Sequence, residues 1–210
     1  DGGARDRRRT GVGVAAHPLN QPQFDASGRA VLSGYGILQP RIASPLATPG
    51  EGTPFHWLFA GAGGLDPYSA ASSEVHQDLF GTGTFTGKGL LNVAAMQATL
   101  GGRLPEAQVL SHDLIEGAMA RCGGVSDINL IEEAPTHADV AASRLHRWTR
   151  GDWQLLPLLW RAGHYGIGAT DRWKMIDNLR RSAVAPLSAA LRTLADAEAP
   201  GHPERVAELS

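Results

Sequence analysis

Val109-Leu-Ser-His-Asp-Leu-Ile-Glu116 and Arg144-Leu-His-Arg147-Trp148-Thr-Arg-Gly-Asp-Trp153-Gln154 carry the clearest helical patterning in the chain. Ser111 is a good helix cap, and Leu114, Ile115, Ala118 and Met119 make one apolar face over the turns that follow. Asp113 then sits in the first turn, where free backbone N–H groups and the helix dipole favour its ionised form. Gly123-Gly124 is expected to stop this helix, and Val125–Glu132 reads as a short buried strand. Pro135-Thr136 opens a last long helix, with Thr136 and Asp139 at capping-box spacing and Asp in place of the usual Glu or Gln. Arg144, Arg147 and Trp148, at i, i+3 and i+4, share one face of it. Pro157 is expected to kink or end it. Helix, buried strand and helix in succession predict an α/β domain: a partial, mixed sheet with flanking helices.

Working towards the amino end, Leu90–Leu100 reads as a helix closed by Gly101-Gly102. Before it stands Gly81-Thr-Gly83-Thr-Phe85-Thr-Gly87-Lys88-Gly89. This is not a Walker phosphate loop, because three residues and not four separate Gly83 from Gly87-Lys88 and a glycine follows the lysine. It reads instead as a loop that closes over a ligand, with Phe85 as a stacking face and Lys88 as an anion contact, or as an ordinary strand-to-helix turn. Residues 40–67 are rich in Pro, Gly, Ser and Thr around the island Phe55-His-Trp57-Leu-Phe59, a loop of functional length. Arg29–Pro40 reads as a strand ending near Pro40. Residues 1–16 show no period and read as a disordered start, and 183–210 as a weak Ala/Leu helix finishing in a polar tail.

Composition narrows the function. The 210 residues suffice for one domain with a real core, and 19 basic against 21 acidic residues argue against phosphate neutralisation of a nucleic acid. One cysteine, Cys122, excludes an intrachain disulfide, and the eight histidines show no metal-ligand spacing. The polar start with Arg7-Arg8-Arg9 has no signal-peptide pattern, and no apolar run reaches the roughly eighteen residues of a membrane span.

Asp113 is the candidate base. An ionised carboxylate that takes a proton from an attacking hydroxyl suits sugar transfer with inversion, although the same aspartate also serves simply to cap its helix. Glu116, one turn on, orients a substrate hydroxyl or is merely solvated. Arg144 and Arg147 suit a diphosphate and Trp148 a sugar ring; read blandly, they are a solvated stripe and a core indole. Trp153, Leu155, Leu156, Leu158, Leu159 and Trp160 with Arg150 and Arg161 suit a bilayer surface or a protein core about equally. Asp78 with Asp113 imitates the paired carboxylates of a glycosidase, a weaker reading.

The motifs together resemble the carboxyl-terminal half of a family-2-type, GT-A-fold glycosyltransferase, in particular the transferase domain of cyclic β-1,2-glucan synthases. Those carrying the resemblance, over about residues 17–182, are His17-Pro-Leu-Asn20, Gly34-Tyr-Gly-Ile-Leu-Gln-Pro-Arg41, Asp66-Pro-Tyr68 and Gln77-Asp-Leu-Phe-Gly81. To these belong Phe85-Thr-Gly-Lys-Gly89, Leu110-Ser-His-Asp-Leu-Ile-Glu-Gly117, His146-Arg-Trp-Thr-Arg-Gly-Asp-Trp-Gln154 and Trp173-Lys-Met-Ile-Asp-Asn-Leu-Arg-Arg181. Ser-His-Asp113 takes the place of the Thr-Glu-Asp motif of cellulose-synthase-like enzymes, a resemblance that implies Asp113 as the base, with His112 beside the substrate. Arg144-x-x-Arg-Trp148 takes the place of their Gln-x-x-Arg-Trp.

The resemblance implies glucose transfer from UDP-glucose to the 2-hydroxyl of a β-glucan acceptor. It further implies a divalent metal (Mg or Mn) on the diphosphate and a large multi-spanning protein at the cytoplasmic face of the bacterial inner membrane. Two departures stand out. The Asp-x-Asp strand that binds metal and nucleotide in such enzymes is missing from residues 1–16, so the metal's ligands are not expected in this chain. After Arg181 the sequence turns polar, with Pro200 and Pro203, where the family continues into membrane helices. The expectation is a partial transferase domain carrying the acceptor half, or a non-catalytic carbohydrate-binding or membrane-peripheral piece of a glucan synthase.

Overall fold

The computed structural model describes residues 2–43, 45, 52–59, 74–104 and 113–198. In chain order these form α1 (Gly2–Ala16), β1 (Gln23–Phe24), β2 (Val31–Ser33), β3 (Ile37–Ala43), α2 (Pro54–Phe59), α3 (Val75–Phe80), β4 (Leu90–Leu91) and α4 (Val93–Leu100). Then follow α5 (Asp113–Ala120), β5 (Cys122–Ile131), α6 (Ala138–Gln154), α7 (Leu156–Trp160), α8 (Ala162–Tyr165) and α9 (Ala169–Glu198). The fold is α/β, as the patterning predicts: a small mixed sheet in the order β4-β3-β5 carries the helices, and β1 and β2 make a separate antiparallel hairpin.

β3 is the central strand. It pairs antiparallel with β4 (Ile37↔Leu91) and parallel with β5, from Ile37↔Cys122 to Ala43↔Ile131. Pro40 lies inside it instead of ending it. Proline has no N–H to give a ladder, and the β3–β5 register slips between Pro40 and Arg41, from Pro40↔Val125 to Arg41↔Asn129. The ladder accommodates the proline by this slip, with the extra residues, Ser126–Ile128, on the partner strand β5.

The α5–β5 turn also differs from expectation. Gly123 and Gly124 do not stop the helix but belong to β5, and Arg121 makes the turn with a left-handed φ of 60°. Its guanidinium fixes that conformation, donating to Gly81 O at 3.2 Å and lying 5.6 Å from the Tyr35 ring centroid. Gly123 is needed for another reason: a methyl carbon there would fall 2.7 Å from Tyr35 Cγ. Leu90 and Leu91 form β4 before Asn92 caps α4 by accepting from Ala95 N at 3.0 Å. Val75–Phe80 is helical.

Ile115 and Met119 of α5 are buried with Leu155, Leu158, Leu159, Ala162, Ile167, Met175 and Leu179 in the larger core cluster. The leucines after Gln154 are therefore core, while Trp160 is 87% exposed. α6 ends at Gln154 and α7 takes Pro157 in its first turn, where a missing N–H costs nothing. α6 starts at Ala138 behind His137, which makes no side-chain cap, so the Thr136 capping box does not form.

Residues 2–16, expected as a disordered start, are α1, whose contacts reach β5; Gly11 lies against Leu90 and Ile128. α9 continues through Pro186 to Glu198, well into the segment read as a weak helix and tail. Its outer face leaves Trp173, Ile176, Val184, Leu187, Leu191 and Leu194 exposed.

Candidate functional site

The glycine-rich segment 81–89 is held in place almost residue by residue. Gly81 ends α3 with φ 67°, and its carbonyl accepts from Tyr35 Oη at 3.2 Å. Lys174 Nζ donates to Thr82 O at 2.9 Å, to Thr82 Oγ1 at 3.2 Å and to Gly83 O at 3.1 Å. Gly83 N donates to Cys122 O at 2.8 Å, His76 Nδ1 and Thr84 Oγ1 are 2.8 Å apart, and Thr86 N donates to Gln39 Oε1 at 3.1 Å. With so many backbone groups satisfied, residues 81–86 form a well-bonded turn between α3 and β4.

Phe85, a stacking face by its sequence setting, is instead 5% exposed and packs with Ile37, Ala120 and Cys122. Its ring belongs to the core beneath α5 and is not presented to a ligand.

Asp113 opens α5, as the sequence predicts. Ser111, the expected cap, and His112, the expected substrate contact, lie outside the described residues, as does Asp66-Pro-Tyr68. The Asp113 carboxylate faces the glycine-rich turn: a methyl carbon on Gly87, whose φ is 86°, would fall 2.9 Å from Oδ2 and 3.1 Å from Oδ1. A second carboxylate stands near it. Burial pushes Asp152 up to about 6, against the pull of an Asn178 hydrogen bond and the Arg181 charge, and the Asp113 charge pushes the same way as burial. Asp152 falls one turn beyond Trp148 and two beyond Arg144, on the same face of α6. Arg181 Nη2 donates to Asn178 Oδ1 at 2.5 Å. Glu116 is partly buried one turn after Asp113, and Asp78 is exposed on α3.

Lys88 follows Gly87 and points to a different acid. Its amino group pairs with Glu132 Oε2, and Arg144 Nη2 takes Glu132 Oε1 at 2.7 Å. The Arg144 guanidinium carbon lies 4.5 Å from the centroid of Trp148, a cation–π stack. Trp148 keeps 43% of its surface exposed, so it is not the core indole of the bland reading. Arg147 is exposed. Burial pushes the Glu132 carboxyl up, but the Lys88 and Arg144 contacts outweigh it and hold the group below its ordinary value.

Gly87-Lys88 thus joins the two groups: one residue touches Asp113, and the next is tied through Glu132 to Arg144 and Trp148. Sequence reasoning missed Glu132, Asp152 and Lys174. For Asp152 a signal existed, the i+4 step from Trp148; Lys88, which Glu132 reaches, and the Thr82 and Gly83 carbonyls, which Lys174 reaches, are distant in sequence. Such a constellation offers a carboxylate base, two cations converging on one point and a partly open indole face.

No protein-family model matches the chain. It is similar to the cyclic beta-(1,2)-glucan synthase NdvB of Rhizobium meliloti (strain 1021), with 47% identity over 173 residues. The match covers 82% of this chain and 6% of that protein, so the chain spans only a small part of the curated relative's length. The glucan-synthase resemblance read from the motifs is borne out, without the match fixing which domain of the synthase is represented.

Proposed function

We propose that this chain is the acceptor-side part of an inverting, GT-A-type glucosyltransferase domain that elongates a β-1,2-glucan from UDP-glucose. One observation carries the reading: the Asp113 carboxylate lies against Gly87, and the adjacent Lys88 is linked through Glu132 to the Arg144–Trp148 stack. The similarity to a cyclic β-1,2-glucan synthase supplies the substrate class.

In this mechanism the acceptor's 2-hydroxyl gives its proton to Asp113 as its oxygen bonds to the anomeric carbon of the donor glucose. The bond from that carbon to the diphosphate oxygen breaks on the opposite face, and the electron pair leaves with UDP. Lys88 and Arg144, with Arg147 at the rim, meet the charge that develops on the leaving diphosphate. Trp148 stacks on a sugar ring, and Glu116 orients a hydroxyl. The divalent metal that belongs to such chemistry would neutralise the diphosphate. Among the described residues no three His, Cys, Asp or Glu side chains gather to hold one. Also part of the proposal is a longer parent protein at the cytoplasmic face of the bacterial inner membrane. Among the described residues no helix is long and apolar enough to cross a membrane.

The test is Asp113→Asn in the intact protein, with glucan synthesis followed from labelled UDP-glucose. Turnover should fall by about 10²–10⁴-fold with folding unchanged, as expected for loss of a general base. Full activity removes Asp113 from the mechanism. The exposure of Trp160 and Trp153 favours a second reading, a non-catalytic surface for glucan or bilayer. Calorimetry separates the two: glucan binding without any metal-dependent UDP-glucose binding supports the second.

A further inference from the structure

The side chain of Glu132 is the meeting point of the site's cations, and its backbone is fixed. Glu132 N donates to Ala43 O at 3.0 Å, extending the β3–β5 edge by one residue. From that anchor the carboxylate takes Lys88 on one oxygen and Arg144 on the other. The two cations assigned to a diphosphate are both turned to one internal acid, spaced to share a single anion.

We propose that Glu132 is an internal counter-anion that positions Lys88 and Arg144 and is displaced from them by the ligand's diphosphate. The inference rests on the transferase reading and adds to it the means by which the anion site is kept in order. Three features support it. A diphosphate carries more charge and more acceptor oxygens than a carboxylate, so it wins at two converging cations. The side chains of Lys88, Glu132 and Arg144 are 41%, 28% and 28% exposed, so solvent screens their pairing and breaking it costs little. With the backbone pinned, exchange needs only rotation of the Glu132 side chain. Because Lys88 adjoins Gly87, the exchange takes place one residue from the Asp113 carboxylate.

The experiment is calorimetric titration of the intact protein with inorganic pyrophosphate and with UDP at low salt, for wild type, Glu132→Gln, Lys88→Met and Arg144→Met. Removing the competing charge in Glu132→Gln should tighten pyrophosphate binding about five-fold, the scale of a screened ion pair. Glu132→Asp keeps the charge with a shorter reach and should fall between wild type and Glu132→Gln; it carries the test if the glutamine variant does not fold. Unchanged or weaker binding in both Glu132 variants, with Lys88→Met weakened, overturns the counter-anion role and leaves the diphosphate reading intact. Binding that is indifferent to Lys88→Met and Arg144→Met overturns both.

Discussion

The carboxylate of Asp113 and the Cα of Gly87 are in direct apposition. The glycine holds φ 86°, and any β-carbon added to it would sit 2.9 Å from Asp113 Oδ2. A carboxylate at the start of a helix is thus packed against a turn that only glycine fits. Gly87→Ala should therefore act twice. The left-handed backbone costs about 1–3 kcal/mol for a residue with a side chain, and the methyl group pushes the carboxylate aside. Chemical denaturation should show that loss of stability, and turnover of the intact protein should fall further than the stability change explains. Unaltered turnover would mean that the carboxylate's position at Gly87 is irrelevant to the chemistry.

Asp152 gives a pH signature. Its value in the folded protein, about 6, lies above the ordinary 3.8, because burial and the Asp113 charge both favour the protonated form. A carboxyl raised in this way binds its proton more tightly folded than unfolded. Its contribution is fully present below about 3.8 and is lost as pH rises through about 6. At pH 7 the ionised group opposes folding. Asp152→Asn should stabilise the protein at pH 7 by about 1 kcal/mol, a figure reduced for solvent screening because the group is only partly buried. It should have little effect at pH 4. Melting curves at the two pH values check this, and equal shifts at both would contradict it.

Much of this was legible in the sequence where local pattern decides structure. α5 begins at Asp113 and buries Ile115 and Met119, and α6 carries Arg144 and Trp148 on one face, because these rest on helical spacing alone. Phe85 was misread because a phenylalanine between glycines looks like a loop residue; its burial comes from α5 and β3, which the sequence does not bring near it. Pro40 was misread because the sequence does not show that a register slip absorbs its missing donor. α1 was missed because its glycines and arginines give no period, and its contacts to β5 are tertiary. The Lys88–Glu132 pair is not legible locally, since Glu132 lies far along the chain.

Cys122 provides a probe of opening. It is fully buried in the small core cluster with Ile37, Phe85 and Ala120, and burial pushes its thiol up to about 12. The thiolate is the reactive form, so the native protein should resist a thiol reagent at pH 8. Labelling should appear only with denaturant, along the same transition as the loss of structure. Rapid labelling of the native protein would contradict the packing of β5 against Phe85.

Lys174 is the strongest single tie between α9 and the glycine-rich turn. It is 7% exposed, and its amino group reaches two backbone carbonyls and the Thr82 hydroxyl, with Asp171 Oδ1 at 3.7 Å. Burial pushes the lysine down, yet four oxygen neighbours surround it, so its charge is compensated in place. Lys174→Met keeps the aliphatic stem and removes the charge. Thr82 O and Gly83 O then lose their shared donor, and Asp171, already raised by burial, loses its main cation. Breaking a buried pair from one side costs about 3–5 kcal/mol, and the longer, partly open contact to Asp171 puts this case near the lower end. Equilibrium denaturation should show that loss. Hydrogen exchange should place it at the amides around Thr82 and Gly83, whose carbonyls Lys174 holds, and not at β3. Uniform exchange across the sheet would mean that the lysine supports the whole core and not this turn.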